Sequence, residues 1–204
     1  MTADSNQDPW AFTGWVKKRA ASILESISRF LLRIGIHPNL LTLAGFLFAV
    51  ISGVFVALGH LQEGAFFLIV SGLFDALDGT LARTAGLESR FGAFLDSFLD
   101  RYAESALFFG LLYRASVQGR HDLVLLVFLA MVGSIMVSYA RARAEGLGIS
   151  CKVGLFTRME RFIVLSIALL LEQLFIGLFI LALMTNLTAL QRMIHVLRSA
   201  RNKQ

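Results

Sequence analysis

From Leu68 to Glu104 the chain reads LIVSGLFDALDGTLARTAGLESRFGAFLDSFLDRYAE. Two apolar runs here carry acids at helical spacing. Asp75 and Asp78 are three residues apart and Asp96 and Asp100 four apart, so each pair falls on one helix face. An ionisable group at the middle of a membrane span costs about 2.5–3.5 kcal/mol on insertion scales. This cluster, extended by Arg101 and Glu104, must therefore face a wet or cation-filled cavity.

Composition shows that the surroundings are a membrane protein. The 204 residues are 56% hydrophobic, 11% aromatic and only 16% charged, and the mean hydropathy is +0.70. A soluble domain carries nearer a quarter charged residues. Disorder, collagen and a disulfide scaffold are excluded by two Pro, one Cys and long apolar runs. The lone Cys151 has no intrachain partner and reads as incidental. A net charge of +5 is that of basic loops against anionic lipid, and nucleic acid is not an expected partner. Residues 1–8 are polar with no apolar segment behind a basic start, so no signal peptide is expected there.

Stretches near the 20-residue spanning length fall at about 40–60, 64–82, 94–113, 123–140, 159–173 and 174–192, the last two forming a hairpin at Glu172 and Gln173. The expected fold is all-α, with six transmembrane helices in a single domain over 1–204 and no linker or repeat. Sixteen basic residues then fall on the side of the N-terminus and only Arg114 and Arg120 opposite, which predicts both termini in the cytoplasm. Ahead of the first span, over about 12–36, Val16, Ala20, Ile23, Leu24, Ile27, Phe30, Leu31 and Ile34 recur at helical spacing, with Lys18, Glu25, Arg29 and Arg33 on another face. This predicts an amphipathic helix, either in the headgroup plane or against the protein's own surface.

Four carboxylates converging without a cation repel one another. Oxygen ligands suit Mg²⁺ or Mn²⁺, and four are enough for two ions. The alternative is salt bridging of the acids to Arg83, Arg90 and Arg101. The residues between the acids favour a metal-bound ligand: Gly79 and Ala82 keep one face low enough for a phosphate or nucleobase, and Arg83 offers a fork for phosphate oxygens. Metal, small residues and Arg on one face describe a site for a diphosphate ester.

The pattern Asp75-x-x-Asp78-Gly79-x-x-Ala82-Arg83, eight residues, then Gly92-x-x-x-Asp96-x-x-x-Asp100 resembles the signature of the CDP-alcohol phosphotransferases at all eight fixed positions. The segment His37-Pro38-Asn39-Leu40-Leu41-Thr42 and the six spans are also similar to the family. The resemblance implies a homodimeric, multi-pass protein of the plasma membrane with its site at the cytoplasmic surface. It implies metal ligation by Asp75, Asp78, Asp96 and Asp100, a general-base role for Asp100, and CDP-lipid contacts at Gly79, Ala82, Arg83, Asn39 and Thr42. Helix capping is a second explanation for Asn39 and Thr42.

The acceptor is read from later arginines. Tyr139-Ala-Arg141-Ala-Arg143-Ala-Glu145-Gly146 and Arg158-Met-Glu160-Arg161 hold four Arg with few acids, and Arg192 returns to the same side. Such a cluster suits an acceptor that carries its own phosphate. Both segments resemble the phosphatidylinositol-phosphate synthase branch, which implies that Arg141, Arg143, Arg161 and Arg192 hold inositol phosphate and that CDP-diacylglycerol is the donor. Arg141 stands where that branch more often has Lys, and Arg158 is as well explained by pairing with Glu160. The rival acceptor is glycerol 3-phosphate. A different class, an intramembrane cation or proton transporter, would spread its acids through the membrane depth.

Overall fold

The computed structural model describes residues 22–201, and these are all-helical. Helix α1 covers residues 22–33. It is followed by α2 (Pro38–Leu58), α3 (Leu61–Ala85), α4 (Arg90–Val117), α5 (His121–Gly146), α6 (Arg158–Leu170) and α7 (Leu174–Arg201). The part of the expected amphipathic helix before residue 22 lies outside the described residues. Within α1 and the turn after it, Ile23, Ile27, Phe30 and Ile34 are exposed, whereas Leu24 and Leu31 are half-buried and Ser28 is buried, so only part of the apolar face is turned outward.

Local chemistry sets the helix ends. Pro38 opens α2 where its missing N–H costs nothing, and the His37 Nδ1 accepts the Asn39 N–H at 3.2 Å. Capping thus falls to His37, which removes that explanation for Asn39. Gly59 and Gly86 close α2 and α3 in the left-handed region, at φ 98° and 63°. The Ser89 Oγ caps α4 by accepting the Gly92 N–H at 2.9 Å. A capping box of Thr157 and Glu160 starts α6, so Glu160 is turned to its own helix end and does not pair with Arg158. The expected α6–α7 hairpin is present, with Glu172 at φ 56°.

Helix α2 packs on α3 and α4, α5 packs on α7, and α6 leans on α3 and α7; α4 meets α5 and closes the bundle. Gly53 and Gly110 let the backbones of α2 and α4 touch, since a Cβ on either would run into the opposite main chain. The core gathers Val56, Leu68, Phe108, Leu111, Leu169 and Leu181. The outer faces are apolar instead of polar, with Val54, Phe66, Phe109, Leu125, Phe128 and Phe179 exposed, as expected where lipid is the solvent.

Four helices, α2, α3, α5 and α7, are long and apolar enough to cross a membrane. The other two expected spans differ for distinct reasons. Helix α4 is long enough but carries Asp96, Asp100, Arg101 and Glu104 within nine residues. Helix α6 is apolar but has only 13 residues, about 20 Å of rise against a hydrocarbon core of about 30 Å.

Candidate active site

Asp75 and Asp78 lie in the last turns of α3, and Asp96 and Asp100 in the first turns of α4. The tight connection over 86–89 brings both pairs to the same end of the bundle. Ligand oxygens of Asp75, Asp78 and Asp96 lie within 4.8 Å of one another. Asp78 is buried, and its Oδ2, like Oδ1 of Asp96, has no hydrogen-bond partner among the described residues. Buried, unpartnered carboxylate oxygens that converge from two helices are the donor set of a hard divalent cation. The chemistry of these residues fits such an ion.

Asp100 is oriented differently. Its Oδ1 is 2.5 Å from Nη2 of Arg158, and its Oδ2 is 3.5 Å from Nη1 of Arg101. Arg158 also donates from Nη1 to Oδ1 of Asp75 at 2.9 Å. The salt-bridge alternative therefore holds for Arg101 alone among the three arginines considered for it, and the principal cation beside the acids is Arg158. Sequence spacing could not identify it, because 83 residues separate it from Asp75.

On one side of the acids is a narrow cleft lined by Thr42, Gly45, Asp75, Asp78 and Asp100. The Thr42 hydroxyl donates to the Pro38 carbonyl at 3.3 Å. Asn39 approaches Gly92, where a Cβ would sit 3.3 Å from its Oδ1. Arg83 is exposed at the end of α3, with Nη2 3.4 Å from the Thr80 hydroxyl, and Nη1 lies directly over Gly79. Ala82 is half-buried on the same last turn.

Sharing Asp75, Asp100 and Arg158 with the cleft, a larger cavity of about 450 Å³ runs between α3, α4, α5 and α6, with Arg192 of α7 in its wall. Asp75 and Asp100 form one end, and Arg141, Arg158, Arg161 and Arg192 lie in its walls. Three of the four arginines expected to hold a phosphate thus share one chamber. Arg143 does not line it: two residues beyond Arg141 on α5, it is turned to an exposed face. Arg141 is tied to Glu145 at 2.9 Å. Arg192 is buried and donates to the carbonyls of Val153, at 3.0 Å, and Val137. Arg161, only 2% exposed, is held by Glu104 through Nε and Nη2 at 2.7 and 3.2 Å.

Two helices thus converge four acids beside an arginine-lined chamber, the layout of an enzyme that moves a phosphate-linked group. The chain belongs to the CDP-alcohol phosphatidyltransferase family, whose model matches residues 35–195. It is accordingly an enzyme of phospholipid synthesis and a multi-pass membrane protein. The archaetidylinositol phosphate synthase of Pyrococcus horikoshii is 37% identical over 178 residues, covering 87% of this chain and 92% of that one. The phosphatidylinositol phosphate synthase of Mycobacterium tuberculosis, in its crystal structure with CDP-DAG bound, superposes with a TM-score of 0.81 at 33% identity, covering 86% and 94% of the two chains. The same enzyme crystallised with manganese and citrate gives a TM-score of 0.78 at 32% identity, covering 85% and 88%.

Proposed function

We propose that the protein transfers a phosphatidyl group from CDP-diacylglycerol to 1L-myo-inositol 1-phosphate, releasing CMP. The observation that carries this reading is the chamber reaching from Asp75 and Asp100 to Arg141, Arg158, Arg161 and Arg192. A phosphorylated polyol placed there has its phosphate among guanidinium forks and a hydroxyl near the acids. Relatives named for inositol phosphate products at 33–37% identity support the same acceptor.

The donor half is assigned to the side of the cleft. Thr42 lines the cleft there, and Asn39, Gly79, Ala82 and Arg83 are assigned to the same half, Arg83 meeting phosphate oxygens over the low surface of Gly79. Asp75, Asp78, Asp96 and Asp100 would hold Mg²⁺ or Mn²⁺, two ions in this reading. A bound divalent cation supplies charge neutralisation for the diphosphate and its leaving group. Asp100 lines both the cleft and the chamber, and it is the general base. Its carboxylate takes the proton of the acceptor hydroxyl as that oxygen bonds to the β-phosphorus. The bond from that phosphorus to the oxygen of CMP breaks, and CMP carries away the electron pair.

All six helices α2–α7 span the membrane in this reading. Helix α4 turns its acids into the chamber, and α6 completes its depth with the segments flanking it. Helix α1 rests in the headgroup plane on Ile23, Ile27, Phe30 and Ile34. Both termini and the site face the cytoplasm, following the basic residues. The chain is a single domain of the plasma membrane and works as a homodimer. Glycerol 3-phosphate remains the rival acceptor, and the archaetidyl relative makes a CDP-activated archaetidyl lipid the rival donor.

An acceptor panel tests the reading. Purified protein with Mg²⁺ and either CDP-diacylglycerol or the CDP-activated archaetidyl lipid is offered inositol 1-phosphate, glycerol 3-phosphate, inositol and serine separately, and CMP is measured. CMP with inositol 1-phosphate well above the others is expected. Preference for glycerol 3-phosphate overturns the acceptor, and CMP only from the archaetidyl lipid overturns the donor. No CMP under any pairing overturns the transferase reading itself.

A further inference from the structure

Asp96, Asp100 and Glu104 stand one turn apart on α4, and Arg158 and Arg161 one turn apart on α6. Among the described residues α4 and α6 do not pack on each other. They are joined across the chamber by two rungs, Arg158 to Asp100 and Arg161 to Glu104. The rungs differ in kind. Arg158 is 46% exposed and shared between two acids, whereas Arg161 is 2% exposed and gripped at two points by one.

A carboxylate in the wall of a chamber meant for an anion is unfavourable by charge, so Glu104 needs a reason to be there. Its geometry supplies one. It takes Nε at 2.7 Å and Nη2 at 3.2 Å, which fixes the guanidinium plane and leaves Nη1 with no hydrogen-bond partner among the described residues. Around it the walls are apolar, with Leu107, Phe162 and Leu165. An Arg without Glu104 would keep its charge and lose its single orientation.

We propose that Glu104 is a positioning residue for the transfer reaction, fixing Arg161 so that Nη1 is the donor presented to the acceptor's phosphate. The proposal rests on the acceptor reading above. Charge alone predicts the opposite sign: removing a negative group beside a phosphate site tightens binding. Positioning predicts that it weakens.

The test measures CMP release by the wild type and by Glu104→Gln, Arg161→Lys and the double variant, with separate KM values for inositol 1-phosphate and CDP-diacylglycerol. Glu104→Gln keeps the side-chain length but offers one acceptor in place of two. Arg161→Lys keeps the charge and removes the fork. Each single variant is expected to raise the acceptor KM about tenfold or more while the donor KM stays within about twofold. The double variant should be no worse than either single one, because both remove the same orientation. An unchanged or lower acceptor KM in folded Glu104→Gln, equal rises for both substrates, or a double variant equal to the product of the singles overturns the proposal. Should Glu104→Gln not fold, Arg161→Lys decides alone: an unchanged acceptor KM overturns the proposal and a rise confined to the acceptor supports it. A wild type that releases no CMP with inositol 1-phosphate overturns the acceptor reading and this proposal with it. A wild type that does, beside an indifferent Glu104→Gln, overturns this proposal alone.

Discussion

Asp78 on α3 and Asp96 on α4 each bury a carboxylate oxygen that finds no hydrogen-bond partner among the described residues, and their oxygens lie within 4.8 Å of one another and of Asp75. Leaving such groups unpartnered is costly, and a divalent cation removes that cost. Chelation with EDTA is therefore expected to abolish CMP release, and Mn²⁺ or Mg²⁺ to restore it. Thermal unfolding gives a readout independent of activity: saturating Mn²⁺ should raise the Tm of the wild type. Asp75→Asn, Asp78→Asn and Asp96→Asn should lose both activity and that shift. Full turnover in chelator, or an unchanged Mn²⁺ shift in all three variants, would remove the metal site.

Asp100 has its own test. Like Asp75, it borders both the cleft and the chamber, and its pairing with Arg158 at 2.5 Å holds it at the boundary. Asp100→Asn keeps the shape and removes the proton acceptor, so kcat should fall by roughly 10²–10⁴. Single-turnover rates with saturating substrates check this. Near wild-type turnover in the variant would place the base elsewhere.

The acids were legible in the sequence because helical periodicity fixes which neighbours share a face. Asp75 with Asp78 and Asp96 with Asp100 needed only spacings of three and four. The partners of the arginines were not legible, because tertiary packing chooses them. Arg158 has Glu160 two residues away and yet pairs with Asp75 and Asp100, since the capping box claims Glu160 for the helix end. Arg161 was readable as a cation of the acceptor side, but its bond to Glu104 crosses 57 residues. Arg143 shows the converse: its run with Arg141 looked like one site, and helix geometry turns the two apart. Span number was obscured for the same reason that makes α4 useful, since the acids that line the chamber remove it from any apolar count.

Close packing of α2 on α4 gives a prediction about stability. Gly53 faces the backbone at Ala106, and Gly110 faces the backbone at Gly53. A side chain at either place must push the helices apart and with them the acids of α4. Gly53→Val should lower the Tm by several degrees and reduce activity, an overpacking cost of about 1–3 kcal/mol. An exposed change on the same helix, Val54→Leu, should do neither. Unchanged melting of Gly53→Val in detergent and in lipid would show that α2 and α4 are not held this closely.

The division of the site into donor and acceptor halves is tested by comparing Arg83 with Arg141. Both are arginines near the acids, and both can be removed at little structural cost. Arg83 is exposed on the last turn of α3, and Arg141 is 51% exposed and bonded, among the described residues, only to Glu145. Arg192 is a poorer probe, since its loss would leave the buried carbonyls of Val153 and Val137 without a donor. A charged hydrogen bond is worth about 1.5–3 kcal/mol, roughly 10- to 150-fold in an apparent KM. Arg141→Ala should raise the KM for inositol 1-phosphate by a factor in that range and leave that for CDP-diacylglycerol nearly unchanged. Arg83→Ala should do the reverse, because Arg83 lies beside Gly79 and does not line the chamber. Lysine replacements refine the comparison: charge at 141 serves a phosphate in either form, so Arg141→Lys should recover most of the loss. Equal effects of Arg83→Ala and Arg141→Ala on both substrates would mean that the two sides form one undivided anion site.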